Sequence, residues 1–141
     1  MERREAHGWA APSSLQEIRP LVLIDTTQLA LERSISGATQ RQEALAANIA
    51  NASTPGYKRV DVDFHGALAA ALGSSDAKTK LATTSFATQA DASVGNTQAD
   101  GNSIDVENES AKMAANALEQ QAAVSVAKTR NAILRSAMGV N

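Results

Sequence analysis

From Ile24 to Ile49 the chain carries a seven-residue repeat. Ile24, Gln28, Leu31, Ile35, Ala38, Gln42, Leu45 and Ile49 follow one another at alternating steps of four and three. That spacing puts all eight on one stripe of an α-helix and specifies a helix that pairs lengthwise with another. Asp25, Thr26 and Thr27 are suitable capping residues at its start. A helix of this extent is about 40 Å long at 1.5 Å per residue. Gly37 lies inside it and is expected to cost about 1 kcal/mol relative to alanine.

A second repeat occupies the other end of the chain. Val106, Met113, Ala117, Gln120, Val124, Ala127, Leu134 and Met138 share a seam, interrupted by Ser110 and Asn131. Asp105 is placed to cap this helix, Glu107 and Glu109 fall in its first turn, and Lys128, Arg130 and Arg135 lie towards its end. Both charge placements suit the helix dipole. Leu118, Val126 and Ile133 fall off the seam, so a second face of this helix is also apolar.

Between the repeats the pattern changes. Asn51 is able to end the first helix in a left-handed conformation. In Thr54, Pro55, Gly56 and Tyr57, proline presets the first corner and glycine permits positive φ at the second, which is the type II turn pattern. Val60, Val62 and Phe64 then alternate with Asp61, Asp63 and His65, a short strand with one apolar face. Residues 67–72 read as a brief helix ending at Gly73. The expected organisation is a flexible tail at 1–22, a heptad helix at 23–51, a turn, strand and short helix at 52–72, a flexible polar region at 73–101, and a second heptad helix at 102–141. The fold class is mainly α, with two long terminal helices forming a coiled-coil-like layer.

Composition narrows what such a chain does. Alanine occurs 29 times, whereas Leu, Ile, Val and Phe together number 27 among 141 residues. This scarcity of large apolar side chains points to packing completed by other molecules. There is no cysteine and only two histidines, which excludes thiolate chemistry and a histidine-rich metal site. Thirteen basic residues against fifteen acidic ones, with no long basic run, argue against nucleic acid or a polybasic membrane surface. The longest strongly apolar run, Leu21, Val22, Leu23 and Ile24, is too short for a secretory signal core or a membrane span. Asp61 and Asp63 read as solvated strand acids rather than a catalytic pair, and His65 as a surface histidine. No catalytic residue, cofactor, metal or small-molecule substrate is expected.

Residues 41–58 resemble the bacterial flagellar basal-body rod protein family. The resemblance is carried by Asn48, Ile49, Ala50 and Asn51 at the end of the first helix, followed by Thr54, Pro55, Gly56 and Tyr57. Residues 59–64, and residues 101–106 leading into Asn116, Ala117 and Leu118, look like the short proximal-rod, B-type branch. The resemblance spans roughly residues 29–72 and 101–139, and residues 1–22 and 73–100 carry no matching motif. It implies a structural subunit without catalysis that assembles through its terminal helices into a helical tube transmitting torque. It further implies residence in the periplasmic rod of the basal body and export without a cleaved signal peptide. The implied partners are other rod subunits, copies of itself, membrane-ring and adaptor proteins at the rod base, and the flagellar export apparatus. The expected assembly seam comprises Leu31, Ile35, Ala38, Leu45 and Ile49 in the first helix and Met113, Ala117, Val124, Ala127, Leu134 and Met138 in the second. A C-type rod subunit and a non-flagellar coiled-coil adaptor or secretion-associated protein are the alternatives.

Overall fold

The computed structural model describes residues 25–91 and 101–139. The expected tail at 1–22 lies outside them, as does the 92–100 part of the expected polar region. Six elements follow in order: α1 (Thr26–Ala50), β1 (Val60–Asp61), α2 (Phe64–Leu72), α3 (Ala77–Thr83), β2 (Gln89–Ala90) and α4 (Val106–Ala137). The protein is mainly helical. β1 and β2 form a two-stranded antiparallel ladder pairing Val60 with Ala90 and Asp61 with Gln89.

The ends of the long helices are set by local chemistry. The Asp25 carboxylate accepts from the Gln28 amide at 2.8 Å, so an orphan donor of the first turn of α1 is satisfied. Asp105 accepts from the amides of Glu107 (3.1 Å) and Asn108 (3.2 Å) at the start of α4. Asn51 ends α1 at φ −101°, not in the left-handed region. Its amide nitrogen instead donates to the carbonyl of Ala47 at 2.8 Å.

α1 and α4 lie antiparallel. Along the pair, Asp25 meets Arg130, Thr39 meets Gln120, Ala38 and Gln42 meet Asn116, and Asn48 meets Glu109. Ala38 and Leu45 are buried, whereas Leu31, Ile35 and Ile49 are half-buried. The α4 face turned to α1 runs through Glu109, Met113, Asn116, Gln120, Ala123, Ala127, Arg130 and Leu134, all buried or half-buried. Met113, Gln120, Ala127 and Leu134 therefore lie where the apolar pattern puts them. The other row of the seam runs one residue earlier than expected. Ala117, Val106 and Met138 are exposed and Val124 is half-buried at the edge. The physical reason is that the expected row follows small and apolar residues, while the actual row is led by Glu109 and Asn116, whose carboxylate and amide nitrogen find partners on α1 and beside it.

α2 and α3 cover one side of α1. Val62, Phe64, Phe86, Ala38 and Ala44 form the central cluster, with Leu68 and Val60 packed against it. The rings of Phe64 and Phe86 meet edge to face, 6.2 Å between centroids at 83°, a favoured aromatic geometry. Gly37 is buried directly beneath Phe64: a Cβ at Gly37 would stand 2.5 Å from Phe64 Cβ. The helix-weakening glycine is thus the notch that admits the largest core side chain.

Two expected segments differ. The strand is limited to Val60–Asp61, because Asp63 caps α2 by accepting from the Gly66 amide at 2.9 Å and starts the helix at Phe64. Within the expected flexible region, residues 77–83 form α3. Asp76 caps it through the Thr79 amide (3.2 Å), Leu81 is fully buried, and Arg33 donates to the Ala82 carbonyl at 2.6 Å. Two well-spaced apolar residues, Leu81 and Phe86, are enough to dock an otherwise polar segment on a preformed helix surface.

Candidate functional site

The site is the turn that closes α1 together with the chain that arrives at α4. Tyr57 N–H donates to the Thr54 carbonyl at 3.2 Å and Gly56 sits at φ +72°, the left-handed corner that a type II turn requires. Pro55, Gly56 and Thr54 are exposed, and Tyr57 is half-buried. Ile49 is half-buried and Ala50 exposed on the last turn of α1.

Asn48 is fully buried and uses its entire amide. Its nitrogen donates to the Val60 carbonyl and to Glu109 Oε2, both at 2.7 Å. Its oxygen accepts from the Val60 amide at 3.0 Å and, at 3.5 Å, from the Tyr57 hydroxyl. One side chain thereby ties α1 to β1, to the turn and to α4. Asn51 Oδ1 accepts from the Thr54 hydroxyl at 3.2 Å, which holds the start of the turn.

The turn is clasped from the other end of the chain. Asn102 is completely buried, and its amide nitrogen reaches the carbonyls of Asn51 (3.0 Å), Ala52 (2.9 Å) and Thr54 (2.9 Å). These carbonyls lie beyond the end of α1 and have no helical donor. The Ser103 amide donates to the Tyr57 carbonyl at 3.2 Å, and Lys58 Nζ donates to the Gly101 carbonyl at 2.9 Å. Gly101 adopts φ +82°, and a Cβ there would lie 3.5 Å from Gly56 Cα. Two left-handed glycines, one from each half of the chain, thus meet back to back.

Beside this clasp lies a buried ionic cluster. Arg59 Nε donates to Glu109 Oε1 at 2.6 Å and its Nη2 to Asp61 Oδ2 at 2.7 Å, with Asp91 paired to Nη1. Arg41 Nε reaches Asp61 Oδ1 at 3.0 Å. The side chains of Arg59 and Glu109 are almost fully enclosed. Burial alone opposes the charge on Arg59, but the carboxylates of Glu109 and Asp61 outweigh it and raise its pKa. Burial likewise pushes the Asp61 carboxyl up, while hydrogen bonds from Arg41, Arg59 and the Val62 amide more than offset this and hold it below its ordinary range. Asp61, expected as a solvated acid, is in fact the hinge between two arginines.

This arrangement binds backbone to backbone and charge to charge, and its polar atoms face inward. Among the described residues no group of three or more His, Cys, Asp or Glu side chains could hold a metal ion. No described helix is long and apolar enough to cross a membrane. The apolar reading missed Arg59, Asn102, Glu109 and Asn116. A signal for the last three was present: they are spaced by seven, the same repeat as the apolar seam.

The model of a family described as flagella basal body rod protein matches residues 35–58 of this chain, which contain the turn. The chain is 41% identical over 100 residues to the flagellar basal body rod protein FlgB of Aeromonas hydrophila, covering 62% of this chain and 74% of that relative. It is 36% identical over 109 residues to the protein of that name from Escherichia coli strain K12, covering 67% and 79%.

Proposed function

This chain belongs to the flagellar basal-body rod protein family as a structural subunit, and from that premise we propose that it builds the proximal rod through the outward faces of its two long helices. The seam between α1 and α4 is largely consumed within the chain. The apolar surface left for neighbours is the back and flank of α4, where Leu118 at the back is 69% exposed and Ile133 on the flank 63% exposed, with Val126 beside it. That outward face is the observation on which the reading rests. A stripe of this kind on a helix whose other side is already paired is suited to packing against a helix of another subunit.

In this reading the clasped turn is a rigid joint. It holds α1, α4 and the small α2–α3 layer in one geometry, so each subunit offers the same faces and repeated contacts add into a stiff tube. Rod subunits, copies of this chain, ring and adaptor proteins at the rod base, and the export apparatus are its partners, and it reaches the periplasmic rod without a cleaved signal peptide. The B-type name of the relatives favours this position over a C-type one.

The test is complementation. In cells lacking their own B-type rod subunit, the parent chain restores swimming in soft agar. The variant Leu118→Glu with Ile133→Glu keeps the helical content and melting temperature of the parent but leaves cells non-motile. Normal swimming of that variant would remove the outer face of α4 from the assembly.

A further inference from the structure

Asn102, Glu109 and Asn116 are separated by seven residues each and are 0%, 1% and 2% exposed. They form a buried polar ladder along the row of α4, and of the segment leading into it, that faces α1. Every rung has a different partner. Asn102 donates to the turn carbonyls of Asn51, Ala52 and Thr54. Glu109 accepts from Asn48 and Arg59. Asn116 donates to the Ala38 carbonyl and to Gln42 Oε1, both at 2.8 Å.

The apolar part of the same seam discriminates poorly between registers. Its apolar members on α4, Met113, Ala123, Ala127 and Leu134, are only half-buried, whereas the buried side chains of α4 are Glu109 and Asn116. A shift of α4 by one heptad, about 10 Å, exchanges these half-buried side chains for one another but takes every buried polar group away from its partners. We propose that the polar ladder, not the apolar seam, sets the register in which α4 pairs with α1.

The chemistry of the rungs makes both slips unfavourable. Sliding one way brings Glu109 to the place of Asn102, where its carboxylate faces three carbonyl oxygens. Sliding the other way brings it to the place of Asn116, beside the Ala38 carbonyl and the neutral Gln42 amide in place of the Arg59 guanidinium. In both cases Glu109 keeps only the looser contact from Lys112 on its own helix (3.4 Å), while the buried Arg59 guanidinium and the Asn48 amide are left behind. A buried polar residue used to choose a helix register, at some cost in stability, is a known device in paired helices. The sequence order amide, carboxylate, amide is therefore a code that reads correctly in one alignment only. The consequence for the rod, which rests on the reading above, is that the register decides which α4 residues stand opposite which outward α1 residues in every subunit.

The absence of cysteine allows a direct test on the whole chain. Thr39 and Gln120 are in hydrogen-bond contact across the seam at 2.7 Å. Cysteines at Thr39 and Gln120 report the native register with a short bismaleimide, and cysteines at Thr39 with Met113, or Thr39 with Ala127, report a slip by one heptad in either direction. In the otherwise unchanged chain only the first pair links within one molecule. With Arg59→Met, Glu109→Leu and Asn116→Leu together, the slipped pairs rise by roughly tenfold while circular dichroism shows the helices retained. Unchanged exclusive linking of the native pair in that folded variant overturns the proposal. If the triple variant does not fold, Glu109→Gln decides: slipped links rising several-fold at retained helix content support the ladder, and none overturns it. Cross-linking reads the isolated chain and swimming reads the assembly, so either reading can fail while the other stands.

Discussion

Gly37→Ala separates local helix chemistry from tertiary packing because the two give opposite signs. In an open helix the change stabilises by about 1 kcal/mol. Here the new methyl would stand 2.5, 2.7 and 2.8 Å from Cβ, Cγ and Cδ2 of Phe64. Those are the root atoms of a fully buried ring that is itself held by Phe86 and Val62, so the side chain cannot swing away at its tip. Overpacking of this kind costs about 1–3 kcal/mol, and the position of the clash puts it near the upper end. The net expectation is a loss of about 2 kcal/mol, which for a chain of this size lowers the melting temperature by roughly 6–8 °C. Thermal unfolding followed at 222 nm measures it. A double-mutant cycle locates the cause: in the Phe64→Ala background, which removes Cγ and Cδ2 and gives the remaining Cβ room to shift, Gly37→Ala costs much less, leaving a coupling of about 1–2 kcal/mol. A Gly37→Ala protein that melts higher than the parent, or a cycle that is simply additive, refutes the notch.

The clasp and the ionic cluster supply further tests. Asn102→Ala removes three hydrogen bonds to turn carbonyls and should cost about 1–3 kcal/mol in urea unfolding, whereas Asn102→Asp, which turns a carboxylate towards the same carbonyls, should cost more than Asn102→Ala. Equal costs would mean that the amide donor is not what holds the turn. Asp61 gives a pH dependence of defined sign. Its folded-state pKa is depressed, so its contribution to stability is present above the ordinary aspartate value of about 3.9 and is lost as pH falls through the lower folded value. The urea midpoint should therefore fall as the solution is acidified below about pH 4, and Asp61→Asn should flatten that slope. Asp25 and Asp76, whose carboxyls are held low first by hydrogen bonds at their capped helix starts, titrate in the same direction and remain in the variant. An unchanged slope in Asp61→Asn would show that its pairs with Arg41 and Arg59 do not stabilise the folded chain.

What sequence determined by itself is what depends on near neighbours. The two long helices, their caps at Asp25 and Asp105, and the type II turn at Pro55 and Gly56 follow from interactions that close within a few residues, and local pattern reports them faithfully. The family motif around Asn48 and Asn51 was legible for the same reason, as a contiguous run. The phase of α4 was not. Apolar periodicity places one row of the seam a residue too late, whereas the row that faces α1 is led by Asn102, Glu109 and Asn116, which are tolerated inside only because Asn51, Arg59 and Ala38 come to meet them from far along the chain. Whether a polar side chain is a solvated surface group or a satisfied interior one depends on partners that only the tertiary structure supplies. The same holds for Gly37, a defect in an isolated helix and a socket once Phe64 arrives. The abundance of alanine takes its meaning from this division. Small side chains let α1 and α4 approach closely but say little about alignment, and that decision passes to the few buried groups whose hydrogen bonds can be satisfied in one arrangement.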